Sequence, residues 1–272
     1  MELNEISSKA MGGTELMLHG LHKNIPKDLL DYFQIIPSRV RDIDQSKIKI
    51  YWLHDLSNDP ESEHLKNGGY NKFDKLVFVS NWQMQAYIAH YGIPWHKCMV
   101  IHNAIDPIEV DWSKKTKDKI KLIYHTTPHR GLNILVGVFD QLSKEFDNIE
   151  LDVYSSFKIY GWEQRDEEYK EIFEFCKKHP KINYMGTVPN SEIKKALSES
   201  SIFAYPSTWL ETSCISLMEA MSAGLVCVHP NYGALFETGA NWTFMYQYNQ
   251  TQKDHAQIFY NALKGAIVQY LD

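Results

Sequence analysis

The chain has 272 residues, of which 44% are hydrophobic and 23% charged, the balance of a soluble globular protein with one large or two modest domains. Its formal net charge of −6 excludes a general electrostatic attraction to nucleic acid or to an anionic membrane. Cys98, Cys176, Cys214 and Cys227 have no C-x-x-C spacing and read as reduced thiols of a cytoplasmic protein, and neither a signal-peptide pattern nor a run of about 18 apolar residues is present.

In chain order, Ala10-Met11-Gly12-Gly13-Thr14-Glu15 precedes a helical pattern over 16–21. The paired glycines serve either as a helix-start turn or as a loop that lets the backbone approach an anion closely. Strands are expected at 48–53 and 75–79, a helix at 82–91, and a short strand at 100–102 followed by the turn Asn103-Ala104-Ile105-Asp106-Pro107. Residues 108–119 are polar and lysine-rich, the composition of a linker; the basic run 114–121 reads as a solvated segment or a weak membrane-surface contact.

A second series follows. Strands are expected at 121–124, 149–154, 182–185, 202–205, 225–228 and 243–245. The helices between and after them fall at 132–146, 163–178, 190–199 and 253–270, with Asn190 as a cap. Strands alternating with helices imply parallel sheets covered on both faces, here two α/β domains facing a cleft, with ligands at the carboxyl ends of the strands.

The segment from Ala204 to Leu225 reads as strand, proline turn, helix, glycine stop and strand. Glu211 and Glu219 stand eight positions apart across the helix start, a span of about 12 Å if helical throughout. Thr212 and Ser213 lie between them as caps that leave N–H groups for an anion. Glu219 sits among Ile215, Leu217, Met218, Ala220 and Met221, so it is either solvated on one face or partnered within the core. Cys214 reads as a small backbone-presenting residue rather than a nucleophile. Arg130 follows Thr126 and Thr127 at a helix start, where a cation is disfavoured unless an anion binds. His54 ends a strand, and serves either as a structural group beside Asp55 or as a donor to a hydroxyl or leaving-group oxygen. His125 and His129 lack metal-ligand spacing.

Taken in order, these segments resemble the retaining, GT-B-fold nucleotide-sugar glycosyltransferases of the group-one type. Gly12-Gly13-Thr14-Glu15 is similar to the family's glycine loop, and Val77-Phe78-Val79-Ser80 with Asn81-Trp82 to its strand-then-serine element. Ile101-His102-Asn103-Ala104-Ile105-Asp106 resembles its N-G-[IV]-D turn with Ala104 in place of glycine, and Thr127-Pro128-His129-Arg130-Gly131-Leu132 its phosphate loop. Tyr184-Met185-Gly186-Thr187-Val188-Pro189 resembles the base-binding turn, Glu211 with Glu219 the E-x7-E signature, and Gly233-Ala234-Leu235-Phe236-Glu237-Thr238 a further loop of the family.

The resemblance implies a hexosyltransferase acting on a nucleoside-diphosphate sugar, with a glycan, lipid or protein acceptor and no bound metal or other cofactor. It implies Arg130, Glu211 and His54 as catalytic residues: Arg130 on the diphosphate, Glu211 on donor-sugar hydroxyls, His54 facing donor or acceptor. Gly12, Gly13 and Thr127 would lie at the phosphates, Val188 at the base, the N–H groups of Thr212, Ser213 and Cys214 at sugar or phosphate, and Glu219 at the ribose hydroxyls. The expected domains are a reduced acceptor-side domain, 1–107, lacking a first strand because 1–8 is polar, and a donor-binding domain, 108–272. A non-catalytic nucleotide- or glycan-binding domain, partner to a fuller enzyme, is the alternative.

Overall fold

The computed structural model describes residues 12–272, so Ala10, Met11 and the polar segment 1–8 lie outside the described residues. By its internal contacts the chain forms two compact units. One comprises the residues up to Ile105 together with Glu211–Ser213, the other Asp106–Leu210 with Cys214–Asp272.

The amino-terminal unit runs α1 (Gly13–Asn24), α2 (Lys27–Leu30), β1 (Phe33–Pro37), β2 (Ile48–Leu53), a kinked 3-10 segment (Pro60–Lys72), β3 (Lys75–Phe78), α3 (Asn81–Tyr91) and β4 (Cys98–Val100). Its sheet is parallel throughout, in the order β1-β2-β3-β4. Tyr51, Leu53, Leu65, Phe73, Leu76, Phe78 and Tyr87 fill the core, with Tyr51 stacked on Phe73 at 4.8 Å between centroids. The ends of α3 follow from its sequence. Ser80 caps the start by accepting from the Gln83 N–H at 3.1 Å, and Gly92 ends the helix at φ +65°. The strand expected at 100–102 is instead Cys98–Val100. It starts directly after the 3-10 turn Trp95–Lys97, and Ile101 only donates its N–H to Phe78.

The carboxy-terminal unit runs β5 (Ile120–Tyr124), α4 (Leu132–Leu142), β6 (Ile149–Val153), α5 (Lys170–Lys178), β7 (Ile182–Tyr184), α6 (Asn190–Glu199), β8 (Ile202–Ala204), α7 (Ile215–Ser222), β9 (Val226–Pro230), α8 (Leu235–Gly239), β10 (Phe244–Tyr246) and α9 (Gln252–Leu271). The parallel sheet has the order β10-β9-β8-β5-β6-β7. β8 is buried on both faces and β5 and β9 nearly so, in keeping with runs such as Ile202-Phe203-Ala204, whereas β6 alternates buried Ile149, Leu151 and Val153 with half-buried Glu150 and Asp152. The strand order reverses between β5 and β8, and such a switch point opens a crevice at the carboxyl ends of the two strands.

Several local expectations are corrected. The helix expected at 163–178 is a 3-10 segment (Glu163–Tyr169) that becomes α-helical only at Lys170, and Pro189 rather than Asn190 holds the cap position of α6. The lysine-rich segment is no free linker. Lys115 reaches the Leu197 and Ser200 carbonyls at the end of α6, Lys117 donates to the Leu271 carbonyl at 2.8 Å, and Lys119 pairs with Glu150 at 2.6 Å. Basic side chains placed on the last carbonyls of helices satisfy acceptors that have no partner within the helix. Desolvation of the ammonium pushes Lys115 down to about 8, with Cys227 opposing.

Candidate functional site

At the switch point of the carboxy-terminal unit, β5 runs into His125, Thr126 and Thr127, then a 3-10 turn (Pro128–Arg130), then α4. Gly131 joins turn to helix at φ +105°, and a Cβ there would lie 2.1 Å from the Pro206 carbonyl oxygen. Only glycine permits this close passage of the loop after β5 over the loop after β8. Thr208 ties the two together by donating to the His129 carbonyl at 3.0 Å, and the Arg130 guanidinium lies 5.7 Å from the centroid of the Trp209 ring. The structure therefore places Thr127 and Arg130 on one short loop at the start of α4.

α7 presents Glu219. The helix starts at Ile215 with Cys214 as its cap residue, so Thr212 and Ser213 do not cap it and the segment from Glu211 to Glu219 is not helical throughout. The 12 Å span expected from continuous helix therefore does not apply. Two tertiary hydrogen bonds hold Thr212 at a bend ahead of the helix. Glu219 is buried, with an oxygen 3.7 Å from Nε2 of His125 and the other 3.5 Å from Nδ2 of Asn190. Burial by itself would raise its pKa, but His125, Asn190 and the charge of Lys194 outweigh it, so the carboxyl is held below the usual carboxylate range. Glu219 is thus partnered within the core, one of the two readings its sequence allowed.

The same corner holds buried polar groups that lack a hydrogen bond, His125 being paired with Glu219 only at ion-pair distance. Both ring nitrogens of His125 and the hydroxyls of Thr126 and Thr127 make no hydrogen bond among the described residues. Buried polar atoms are nearly always satisfied, and a cluster of exceptions beside an ionised carboxylate is the composition of a ligand site. Val188, expected at the base, lies half-buried in the connection from β7 to α6, where Gly186 turns the chain at φ +64°.

The remaining expected residues belong to the amino-terminal unit. Gly12 is the buried cap residue of α1 and Gly13 its exposed first residue. Within the same unit, Thr212 donates its hydroxyl to the His54 carbonyl at 2.8 Å, and its own carbonyl accepts from Ser80 at 2.6 Å. Its side chain is thereby fixed by protein. Ser213 keeps a buried hydroxyl with no partner among the described residues, and Glu211 is buried. His54 packs on Trp52 at 4.7 Å, and desolvation pushes its imidazole down to about 4. It is neutral at pH 7 and acts as an N–H donor or a lone-pair acceptor, not as a cation.

Two residues of the site were not singled out from sequence as ligand-site residues. His125 is the first residue beyond a buried parallel strand, a position that faces the crevice, which is the signal that could have found it. Asn190 was expected as a helix cap, and its side chain reaches across to Glu219 instead.

The family model for glycosyl transferases group 1 matches residues 105–257, more than half of the chain. The chain belongs to this family. A phosphatidylinositol N-acetylglucosaminyltransferase subunit of Arabidopsis thaliana is 24% identical over 171 residues, which are 60% of this chain and 36% of that protein. The chain therefore spans about a third of the length of this curated relative. Among solved structures, a glycosyltransferase from Rickettsia africae ESF-5 matches with a TM-score of 0.62 and 18% identity over 96% of this chain and 76% of that one. Anabaena HepE in complex with UDP-glucose matches with a TM-score of 0.59 and 18% identity over 83% and 70%. At these identities the likeness concerns the fold. The group-one resemblance and the GT-B-like α/β fold with two parallel sheets agree with expectation. Among the described residues, no helix is long and apolar enough to cross a membrane.

Proposed function

We propose that the chain is a retaining hexosyltransferase that uses a nucleoside-diphosphate sugar and a glycan, lipid or protein acceptor on the cytoplasmic side of the cell. The observation that carries this reading is the ionised, buried Glu219, paired with His125, beside the Thr126 and Thr127 hydroxyls and the His125 Nδ1, which make no hydrogen bond among the described residues. A carboxylate in that setting accepts hydrogen bonds from a vicinal diol such as a ribose. Arg130 at the start of α4 supplies the charge that a diphosphate needs, and helix N-termini add to it, so the proposal requires no metal. Glu211 is assigned to donor-sugar hydroxyls, Val188 to the base, Cys214 and the first N–H groups of α7 to the phosphates. Gly12, Gly13, His54, Thr212 and Ser213 complete the proposal as donor- or acceptor-facing groups. Anabaena HepE, described with UDP-glucose and with UDP, supports a nucleotide-sugar donor.

A second reading is a binding subunit that works with a fuller enzyme. It is favoured by the Arabidopsis relative, which is named as one subunit of a transferase and of which this chain spans 36%. One experiment separates the two. Purified protein is given UDP-, GDP- and ADP-sugars, and nucleoside diphosphate release is followed alongside nucleotide binding. Release with at least one donor supports the transferase. Binding without release from any donor overturns it in favour of the binding role.

A further inference from the structure

A cavity of about 410 Å³ opens in the carboxy-terminal unit behind the phosphate loop, and neither Arg130 nor Glu219 lines it. Its size is that of a small-molecule site, roughly 300–1,000 Å³. Its polar wall is made of carboxamides: Asn133 in the first turn of α4, Asn249 and Gln250 before α9, and Gln252 at the start of α9. Tyr169 and Tyr248 add aromatic surface. Tyr248 is held by a stack on Tyr232, with 3.8 Å between centroids and 8° between planes, so its orientation is set before any ligand arrives.

The charge of the wall is as informative as its shape. No Lys or Arg lines it, and Glu168 contributes a carboxylate. The two imidazoles in the wall, His129 and His255, are uncharged at neutral pH. Burial pushes both down to about 4, and the charges of Arg130 and Arg165 add to the effect on His129. Nδ1 of His129 is buried with no partner among the described residues, whereas Nε2 of His255 is engaged with the Tyr246 hydroxyl at 2.8 Å.

We propose that this cavity is a carbohydrate site, separate from the nucleotide-sugar residues, that takes one neutral hexose unit. Carboxamides present donors and acceptors side by side, as vicinal hydroxyls require. An anion would meet Glu168 in a wall that no Lys or Arg lines, with Arg130 and Arg165 acting only from behind His129. An apolar ligand would leave the carboxamides desolvated and unpaired. Pro128 and His129 form part of the wall, so the occupant sits one residue from Arg130 on a loop that Thr208 pins.

The test uses the full chain, titrated separately with glucose, galactose, mannose, N-acetylglucosamine, glucose 6-phosphate and UDP, with side-chain amide resonances as the readout. At least one neutral sugar should shift the signals of Asn133, Asn249, Gln250 and Gln252 saturably. Asn133→Trp, which fills the cavity, should weaken that sugar by at least about tenfold while UDP affinity holds. Gln252→Leu gives the same reading should Asn133→Trp not fold. The proposal is overturned by an absence of saturable binding for every neutral sugar, by tighter binding of glucose 6-phosphate than of glucose, or by unchanged sugar affinity in the folded variants. Failure of UDP to bind the wild-type chain would count against the nucleotide-sugar proposal and leave the sugar result standing.

Discussion

Nε2 of His125 lies 3.7 Å from a carboxylate oxygen of Glu219, and the two side chains retain only 3% and 7% of their exposure. One sits just past β5 and the other on α7, so the sheet's switch point brings them together across 94 residues of chain. The relationship makes Glu219 a carboxylate whose charge state is set by its neighbours, and it yields the first prediction. His125→Ala should raise the pKa of Glu219 and move the acid limb of nucleotide binding to higher pH. Carboxyl-carbon NMR titration and UDP affinity against pH read this out. The sign follows from linkage. A carboxyl whose folded value is depressed contributes stability that is present above the ordinary carboxylate range, near pH 4.3, and lost as pH falls through the depressed folded value. An unmoved titration in the folded variant would remove His125 from the assignment.

Glu219→Ala and Glu211→Ala should behave differently. The first removes the proposed ribose contact and should weaken UDP binding by about tenfold or more, the scale of a charged hydrogen bond. The second should lower turnover while UDP affinity holds. Calorimetric titration with UDP and a product-release assay separate the two effects, and equal UDP affinity for wild type and Glu219→Ala would contradict the ribose role.

Arg130→Ala should cost about 2–4 kcal/mol of transition-state stabilisation, the effect of removing a preorganised donor from a developing negative charge. The measurement is kcat/KM with the preferred donor. Trp209→Ala, which removes the ring beside the guanidinium, should give a smaller loss, since it loosens Arg130 without deleting its charge.

Gly131→Ala should destabilise the chain by at least about 1–3 kcal/mol, because residue 131 holds φ +105° and the new methyl would meet the Pro206 carbonyl at 2.1 Å. Gly137→Ala, on the exposed side of the same helix with nothing within 4 Å of the added carbon, should stabilise it by about 0.5–1 kcal/mol. Urea unfolding of both variants measures the contrast, and equal effects would mean that the loop can relax.

His54, His129 and His255 should be neutral at pH 7. Each is pushed down to about 4 by burial, so folding excludes a proton that the unfolded imidazole binds near 6.5. Stability should be fully present above about pH 6.5 and fall as pH drops toward 4. Imidazole nitrogen shifts between pH 5 and 8 check the charge states; a protonated ring at pH 6 would contradict them.

Much of this molecule is legible without coordinates. Strands announce themselves by their aliphatic residues, as in Ile149–Val153, where Ile, Leu and Val alternate with Glu150 and Asp152, and α3 carries its own Ser80 and Gly92 signals. Edge elements were less readable. β1 (Phe33–Pro37) interrupts its apolar pattern with Gln34 and ends in proline, and the Pro60–Lys72 segment has no helical period because it is kinked 3-10 structure. The site divides in the same way. Arg130, Glu211, Glu219 and Gly131 stand in recognisable local patterns. His125 and Asn190 do not, since nothing near them in the chain refers to Glu219.

The sequence by itself determined the alternation of strands and helices, the two α/β units and the family, because these rest on local propensity and short-range spacing. It also placed Glu219 where burial would demand a partner. Only the tertiary structure decided who that partner is, where α7 begins, and what the lysines of 114–121 do. Those outcomes depend on groups brought together from distant parts of the chain: Ser80 and His54 hold Thr212 out of the helix, and the carbonyl ends of α6 and α9 capture Lys115 and Lys117. A hydrogen-bond donor settles on the acceptor that the fold delivers, and no period in the sequence records which one that is.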